Sequence, residues 1–372
     1  MKHITIILFT LLAITSCKQT QQIADAIATP TAKTVFERTF ENDSLFQLYE
    51  QQYIEAKHNK LYIETPSLIH SKTNVSKLNI LAYTVNLEQG ERLKITSDIH
   101  TDSLQLVMDV YAYKSDSLIS TKPEASNVIA SNTLEYNVPT NGLYKIVILP
   151  YAARSSNFSI TLNTAPTLAF PVSGKDNTAI QSFWGATRSG GKRSHEGIDI
   201  FAKRGTPVIV ATAGYITNTG NRGLGGKQVW LRDGIFGASL YYAHLDSIAV
   251  SRGHKVHVGD TLGFVGNTGN AKTTSPHLHF GIYTSNGAIN PLPFVKLTED
   301  VEYTETDFSE FNEAETRLQK NELRISPNVK AEKITDLNIK TPVELLGKSQ
   351  RWYHIRVNDS LEGFMHESLI QN

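Results

Sequence analysis

Apolar side chains recur at every second position in Leu104-Gln105-Leu106-Val107-Met108-Asp109-Val110-Tyr111. Strand side chains alternate between two faces, so this period gives Leu104, Leu106, Met108 and Val110 one buried face. Leu78-Asn79-Ile80-Leu81-Ala82-Tyr83-Thr84-Val85 is rich in strand formers, and Gln89-Gly90 marks a turn after it. Gly142–Ile148 and Phe158–Leu162 continue the pattern. Short strands separated by polar turns predict a β-sandwich over residues 59–165. At 372 residues the chain is too long for one ordinary domain. A hydrophobic fraction of 40% and a charged fraction of 19% fit folded modules. Lys+Arg and Asp+Glu number 36 each, so nothing calls for nucleic acid as a partner.

The chain has one cysteine, Cys17, so no intramolecular disulfide can form and the modules must be stable through their cores. Residues 1–17 begin with a positive Lys2, pass through an apolar core from Ile4 to Ile14, and end in small residues. That is the layout of a secretion signal, too short to span a bilayer. Ile14-Thr15-Ser16-Cys17 resembles the lipobox of bacterial lipoproteins, with isoleucine where leucine is commoner. The resemblance implies cleavage before Cys17, lipidation of its thiol and attachment to a membrane. Lys18 follows in place of the aspartate of the enteric sorting pattern, which points to the outer membrane of a Gram-negative cell. Which face of the membrane the domains occupy stays open. Residues 18–58 read as a tether: 18–36 are rich in Gln, Ala and Thr, and 37–58 are polar with a partly helical pattern.

Three segments remain. Residues 166–297 are the richest in glycine and hold the candidate chemistry. Residues 298–319 are acidic and are expected to form a linker or short helix. Residues 320–372 carry further short strands, among them Trp352-Tyr353-His354-Ile355-Arg356-Val357 and a Gly363-Phe364-Met365 turn. These motifs resemble bacterial SH3 domains, which implies a small β-barrel of a kind that often binds cell-wall peptides. Trp352 fits a core or a binding surface equally, and His354 and His366 are expected at the surface. Residues 59–165 resemble the bacterial pre-peptidase β-sandwich found beside secreted proteases. The fold class expected is therefore mainly β, with an antiparallel β domain at the centre.

Of twelve histidines, four fall in three clusters: His195-Glu196-Gly197-Ile198-Asp199, Tyr242-Ala243-His244-Leu245 and Pro276-His277-Leu278-His279-Phe280. If 277–283 is a strand, His277 and His279 share one face while Leu278 and Phe280 enter a core. His195 and Asp199, four apart, also share a face, and Gly197 argues against a helix. Ile198 and Ile200 then point into the core. Zinc accepts nitrogen and oxygen ligands, and catalytic zinc usually has three protein ligands plus water. Four histidines and one aspartate exceed three, which leaves a histidine to carry protons. The His-Glu-x-x-His helix of other zinc proteases does not occur. His254 and His257 are expected at the surface, and Asp260 and Asn267 in turns.

His195-x-x-x-Asp199 with His277-x-His279 resembles the lysostaphin-type (LytM-like) zinc metallopeptidases. Phe183-Trp184-Gly185, Gly205-Thr206-Pro207-Val208, Tyr242-Ala243-His244-Leu245, Gly266-Asn267-Thr268-Gly269 and Asn290-Pro291-Leu292 extend the match over about residues 168–297. The resemblance implies one Zn2+ held by His195, Asp199 and His279, with His244 and His277 as catalytic histidines. One of those two would stabilise the oxyanion and the other move a proton to the leaving amine, the roles unassigned. It implies an endopeptidase acting on peptidoglycan stem peptides or cross-links. Two flanks depart from the pattern: Lys192-Arg193-Ser194 is more basic, and Thr273-Thr274-Ser275-Pro276 lacks a glycine. The alternative expectation is a non-catalytic lipoprotein that binds the cell wall or activates another wall hydrolase.

Overall fold

A computed structural model describes residues 29–41, 44–73, 79–99, 104–115, 118–129, 131–152, 154–234, 237–302 and 313–371. The signal and Cys17 lie outside them. The structure is 51% strand and 12% helix, mainly β as expected. Among the described residues no helix is long and apolar enough to cross a membrane.

The run from Ile80 to Val85 lacks clean alternation because both of its faces are covered. Strand Leu81–Leu87 belongs to a five-stranded sheet with Gly142–Ala152 and Leu104–Ser115. Tyr83, Val85, Leu106, Met108, Ile146 and Ile148 meet Ile69, Leu93, Ile95, Phe158, Ile160 and Leu162 of a second sheet in one core. Ala82, Val107, Val147 and Leu149 point the other way, against Phe36, Tyr49 and Tyr53 of two helices, Ala32–Phe40 and Ser44–His58. The first helix corrects the reading of 18–36 as tether throughout. Thr31 caps it by accepting from the Thr34 amide at 3.1 Å, and Ala32 and Phe36 bury one face.

The C-terminal segment is not separate in space. Strand Pro342–Ser349 pairs with Ser67–Lys72, His70 opposite Lys348 and Ser71 opposite Gly347, so one eleven-stranded sheet holds strands from before and after the central segment. Leu346, Trp352 and Phe364 fill the same core as the N-terminal strands, which settles Trp352 as a core residue. His354 is 1% exposed, against the surface expectation. Its Nδ1 meets the Tyr83 hydroxyl at 3.0 Å and its Nε2 lies 3.3 Å from Glu362. His366 is half-buried. Part of the segment taken for an acidic linker is also strand: Glu313–Thr316 pairs with Pro342–Ser349.

Between these pieces, residues from Ile180 to Ile289 form a ten-stranded sheet. Its main order is Ile180–Ser182, Ile198–Phe201, His277–Thr284, Ser239–Ile248, Gly226–Asp233, Gly214–Arg222 and Lys255–Val256. Ile198, Ile200, Leu278, Phe280 and Tyr242 make the floor of its core. Each such side chain contributes roughly 1.5–3 kcal/mol by leaving water. Asp260 accepts from the His257 amide at 2.8 Å in a turn, and His254 and His257 are exposed, as expected.

Candidate active site and metal centre

Strands Ile198–Phe201 and His277–Thr284 run antiparallel with Asp199 opposite His279 and Phe201 opposite His277. Directly opposed residues share a face, so Asp199, His277 and His279 stand together above a floor of Ile198, Ile200, Leu278 and Phe280. His195 is not on the same strand as Asp199, contrary to expectation. It leaves the two-residue strand Arg193–Ser194, and its amide donates to Ala186 O at 2.9 Å. Gly197 lets the chain turn back from there onto the sheet. A Cβ at Gly197 would lie 2.6 Å from both His279 Cε1 and Phe280 O.

His244 reaches the site by breaking the alternation. Ala243 pairs with His279, which would turn His244 toward the core. His244 instead has φ 64°, a conformation few non-glycine residues adopt. Its ring then packs 5.0 Å from that of His277 and 5.8 Å from that of His279. All five residues singled out from the sequence line one cleft of about 720 Å³, with Arg188, Glu196, Trp230, Tyr241 and Tyr283 around it.

The candidate ligand atoms converge. His195 Nε2 lies 3.1 Å from Asp199 Oδ1 and 3.0 Å from His279 Nδ1, and His279 Nδ1 lies 3.0 Å from Asp199 Oδ1. His195 Nδ1 donates its proton to Phe183 O at 2.9 Å, which leaves Nε2 with a lone pair. A lone pair and a carboxylate oxygen this close repel unless a proton or cation sits between them. Donors of this type and spacing suit one ion bound at roughly 2.0–2.2 Å from each, and the three candidate ligand atoms all lie within 4.8 Å of one another. Burial alone would raise the Asp199 pKa, but the two imidazoles hold it well below the usual carboxylate range. Burial pushes His279 down, opposed by Asp199.

The other two histidines are oriented by main-chain carbonyls. His244 Nδ1 donates to Thr268 O at 2.9 Å, and His277 Nδ1 to Ser275 O at 2.8 Å. A carbonyl can only accept, so each ring keeps Nε2 as its free lone pair. Burial and the neighbouring rings of His277 and His279 lower His244 to about 4. Ring stacking on Phe201 at 4.9 Å adds to the hold on His277.

Residues 193–291 match Peptidase family M23. This segment is an M23 peptidase domain. The chain is 36% identical over 147 residues to the L-Ala--D-Glu endopeptidase of Bacillus subtilis, covering 36% of this chain and 45% of that protein. It is 39% identical over 111 residues to the DD-carboxypeptidase/endopeptidase Mpg of Neisseria meningitidis serogroup B, covering 29% of this chain and 25% of that one. The catalytic domain of lysostaphin from Staphylococcus simulans shows 32% identity, covers 31% of this chain and 89% of that domain, with a TM-score of 0.29. The chain thus spans less than half the length of the curated relatives it matches. All five clustered residues fall inside the M23 segment, whereas Ser182 and Arg188 lie before it.

Arg188 went unread in the sequence. Its Nη2 lies 3.0 Å from Asp199 Oδ2, the oxygen turned away from the histidines. The carbonyls of Phe183, Thr268 and Ser275 also have no signature in the sequence, because any residue supplies them.

Proposed function

We propose that the chain is a zinc-dependent endopeptidase that hydrolyses peptide cross-links of bacterial peptidoglycan. The observation that carries this reading is the convergence of His195 Nε2, Asp199 Oδ1 and His279 Nδ1 beside two histidines with free Nε2 atoms. The relatives' named activities, an L-Ala--D-Glu endopeptidase and a DD-carboxypeptidase/endopeptidase, are both cleavages of peptide bonds and support the substrate class. His195, Asp199 and His279 would hold the ion. Zinc bound there supplies Lewis acidity toward water and a peptide carbonyl. His244 and His277 do the proton work. One takes a proton from the attacking water, and the other, protonated from bulk solvent, donates to the oxyanion or to the departing amine; the first then returns its proton to solvent. Water is consumed, the C–N bond breaks, and a carboxylate and an amine leave. The backbone carbonyls behind both rings keep Nε2 toward the cleft, so no tautomer change is needed before catalysis. Trp230, Tyr241 and Tyr283 pack together, with ring centroids 4.4 Å apart for the first pair, and offer an apolar wall to an extended peptide.

We further propose that an N-terminal β-sandwich and a C-terminal SH3-like barrel, joined to each other through the shared sheet and core, flank the peptidase domain in sequence, and that a lipid on Cys17 keeps the enzyme at a membrane. The sequence of residues 1–17 supports that anchor. Cys17→Ser should move the protein from the membrane to the soluble fraction and abolish labelling by a fatty-acid probe; unchanged fractionation refutes it. The activity is tested by mass spectrometry of purified cell-wall fragments incubated with the protein. New amine ends within stem peptides or cross-links are expected, and their absence with retention on the wall would support a non-catalytic binding role instead.

A further inference from the structure

We infer that Arg188 is a positioning residue for the metal centre: it holds the second oxygen of Asp199 so that the first stays turned to His195 and His279. The inference rests on the metallopeptidase reading above. An aspartate's two oxygens are chemically alike and its last torsion is broad, so burial alone does not decide which oxygen faces a metal. Here the choice is made. Oδ1 lies 3.1 and 3.0 Å from the two histidine nitrogens, and Oδ2 lies 3.0 Å from Arg188 Nη2.

Arg188 is itself fixed. The same Nη2 donates to Ser182 Oγ, and Ser182 is the cross-strand partner of Asp199. Thr187–Arg188 pairs with Arg193–Ser194, Arg188 opposite Arg193, in a hairpin turned by Gly190 and Gly191 at φ 66° and 92°. That hairpin runs straight into His195, whose backbone pairs with Ala186 and Gly185. One small unit therefore presents one ligand and orients a second. Charge matters as well as shape, since one Nη2 of an always-charged planar guanidinium reaches both the carboxylate and Ser182 Oγ, a placement that the more flexible point charge of an ammonium copies only in part.

The test is zinc affinity, measured by competition with a chromophoric chelator on the purified protein and its Arg188→Gln, Arg188→Lys and His279→Ala variants. Melting of the metal-free forms is followed in parallel. Loss of an outer partner of a metal ligand typically costs about 10–100-fold in affinity. Arg188→Gln is expected to lose that much with its metal-free melting temperature unchanged, and to regain turnover at excess zinc. Arg188→Lys should fall between it and the parent. The inference is overturned by an Arg188→Gln affinity within twofold of the parent. It is equally overturned by a metal-free form that melts early, or by turnover still lost at saturating zinc. A parent that binds no zinc, or a His279→Ala variant that binds it as tightly as the parent, would instead remove the metal centre itself.

Discussion

At the scale of single residues, two positions carry conformations that their side chains or neighbours barely permit. Gly197 has no room for a methyl group, which would sit 2.6 Å from the His279 ring and from a main-chain oxygen. Gly197→Ala must displace His279 or the strand, at a typical cost of about 1–3 kcal/mol. Calorimetry should show that loss together with weakened zinc binding; a variant that melts and binds like the parent would mean the turn is looser than drawn. His244 is held at φ 64°. Asparagine tolerates this region and a β-branched residue does not. His244→Asn is therefore expected to melt close to the parent while turnover disappears. His244→Val should be destabilised by a further 1–2 kcal/mol or so. Equal melting of the two variants would contradict the assigned backbone. His277→Ala should keep its zinc and lose turnover, which separates it from the proposed ligand His279.

At the scale of elements, the strand His277–Thr284 could be read in full from the sequence. Its period-two pattern told that His277 and His279 share a face above Leu278 and Phe280, and the structure pairs that face with Asp199. Phe280→Ala, beneath the site, should cost about 3–5 kcal/mol in chemical unfolding; a loss under 1 kcal/mol would show that this floor is not packed. Four features were illegible for physical reasons. His195 sits outside the strand of Asp199 because a hairpin of two-residue strands leads into it, too short for any periodicity. His244 enters the cleft through one left-handed residue, and alternation says the opposite. The helix Ala32–Phe40 was hidden in a Gln, Ala and Thr-rich stretch because few apolar residues suffice when a sheet waits to receive them. His354 looked exposed because its partners, Tyr83 and Glu362, come from a distant strand and a neighbouring one that no local pattern links.

At the scale of the whole molecule, the strands before and after the peptidase segment share a sheet and a core, with Tyr83, His354, Glu362 and Arg356 at the seam. Burial would raise Glu362, but His354 and Arg356 outweigh it and lower its pKa to about 2 from 4.5. A depressed carboxylate adds stability that is complete above its unfolded value and is lost as pH falls through its folded one. The seam should therefore weaken as pH drops from about 4.5 toward 2, by up to about 3 kcal/mol, and Glu362→Gln should flatten that dependence; parallel acid-melting curves for the two proteins would contradict the ion pair. The peptidase sheet, with its own core, is where the central claim stands or falls. The measurement is the zinc content of the purified parent and of the His195→Ala, Asp199→Ala, His279→Ala, His244→Ala and His277→Ala variants, by elemental mass spectrometry after exhaustive dialysis. One zinc per chain is expected in the parent and in the His244 and His277 variants, and near none in the other three. A parent without stoichiometric zinc, or ligand variants that retain it, would contradict the account.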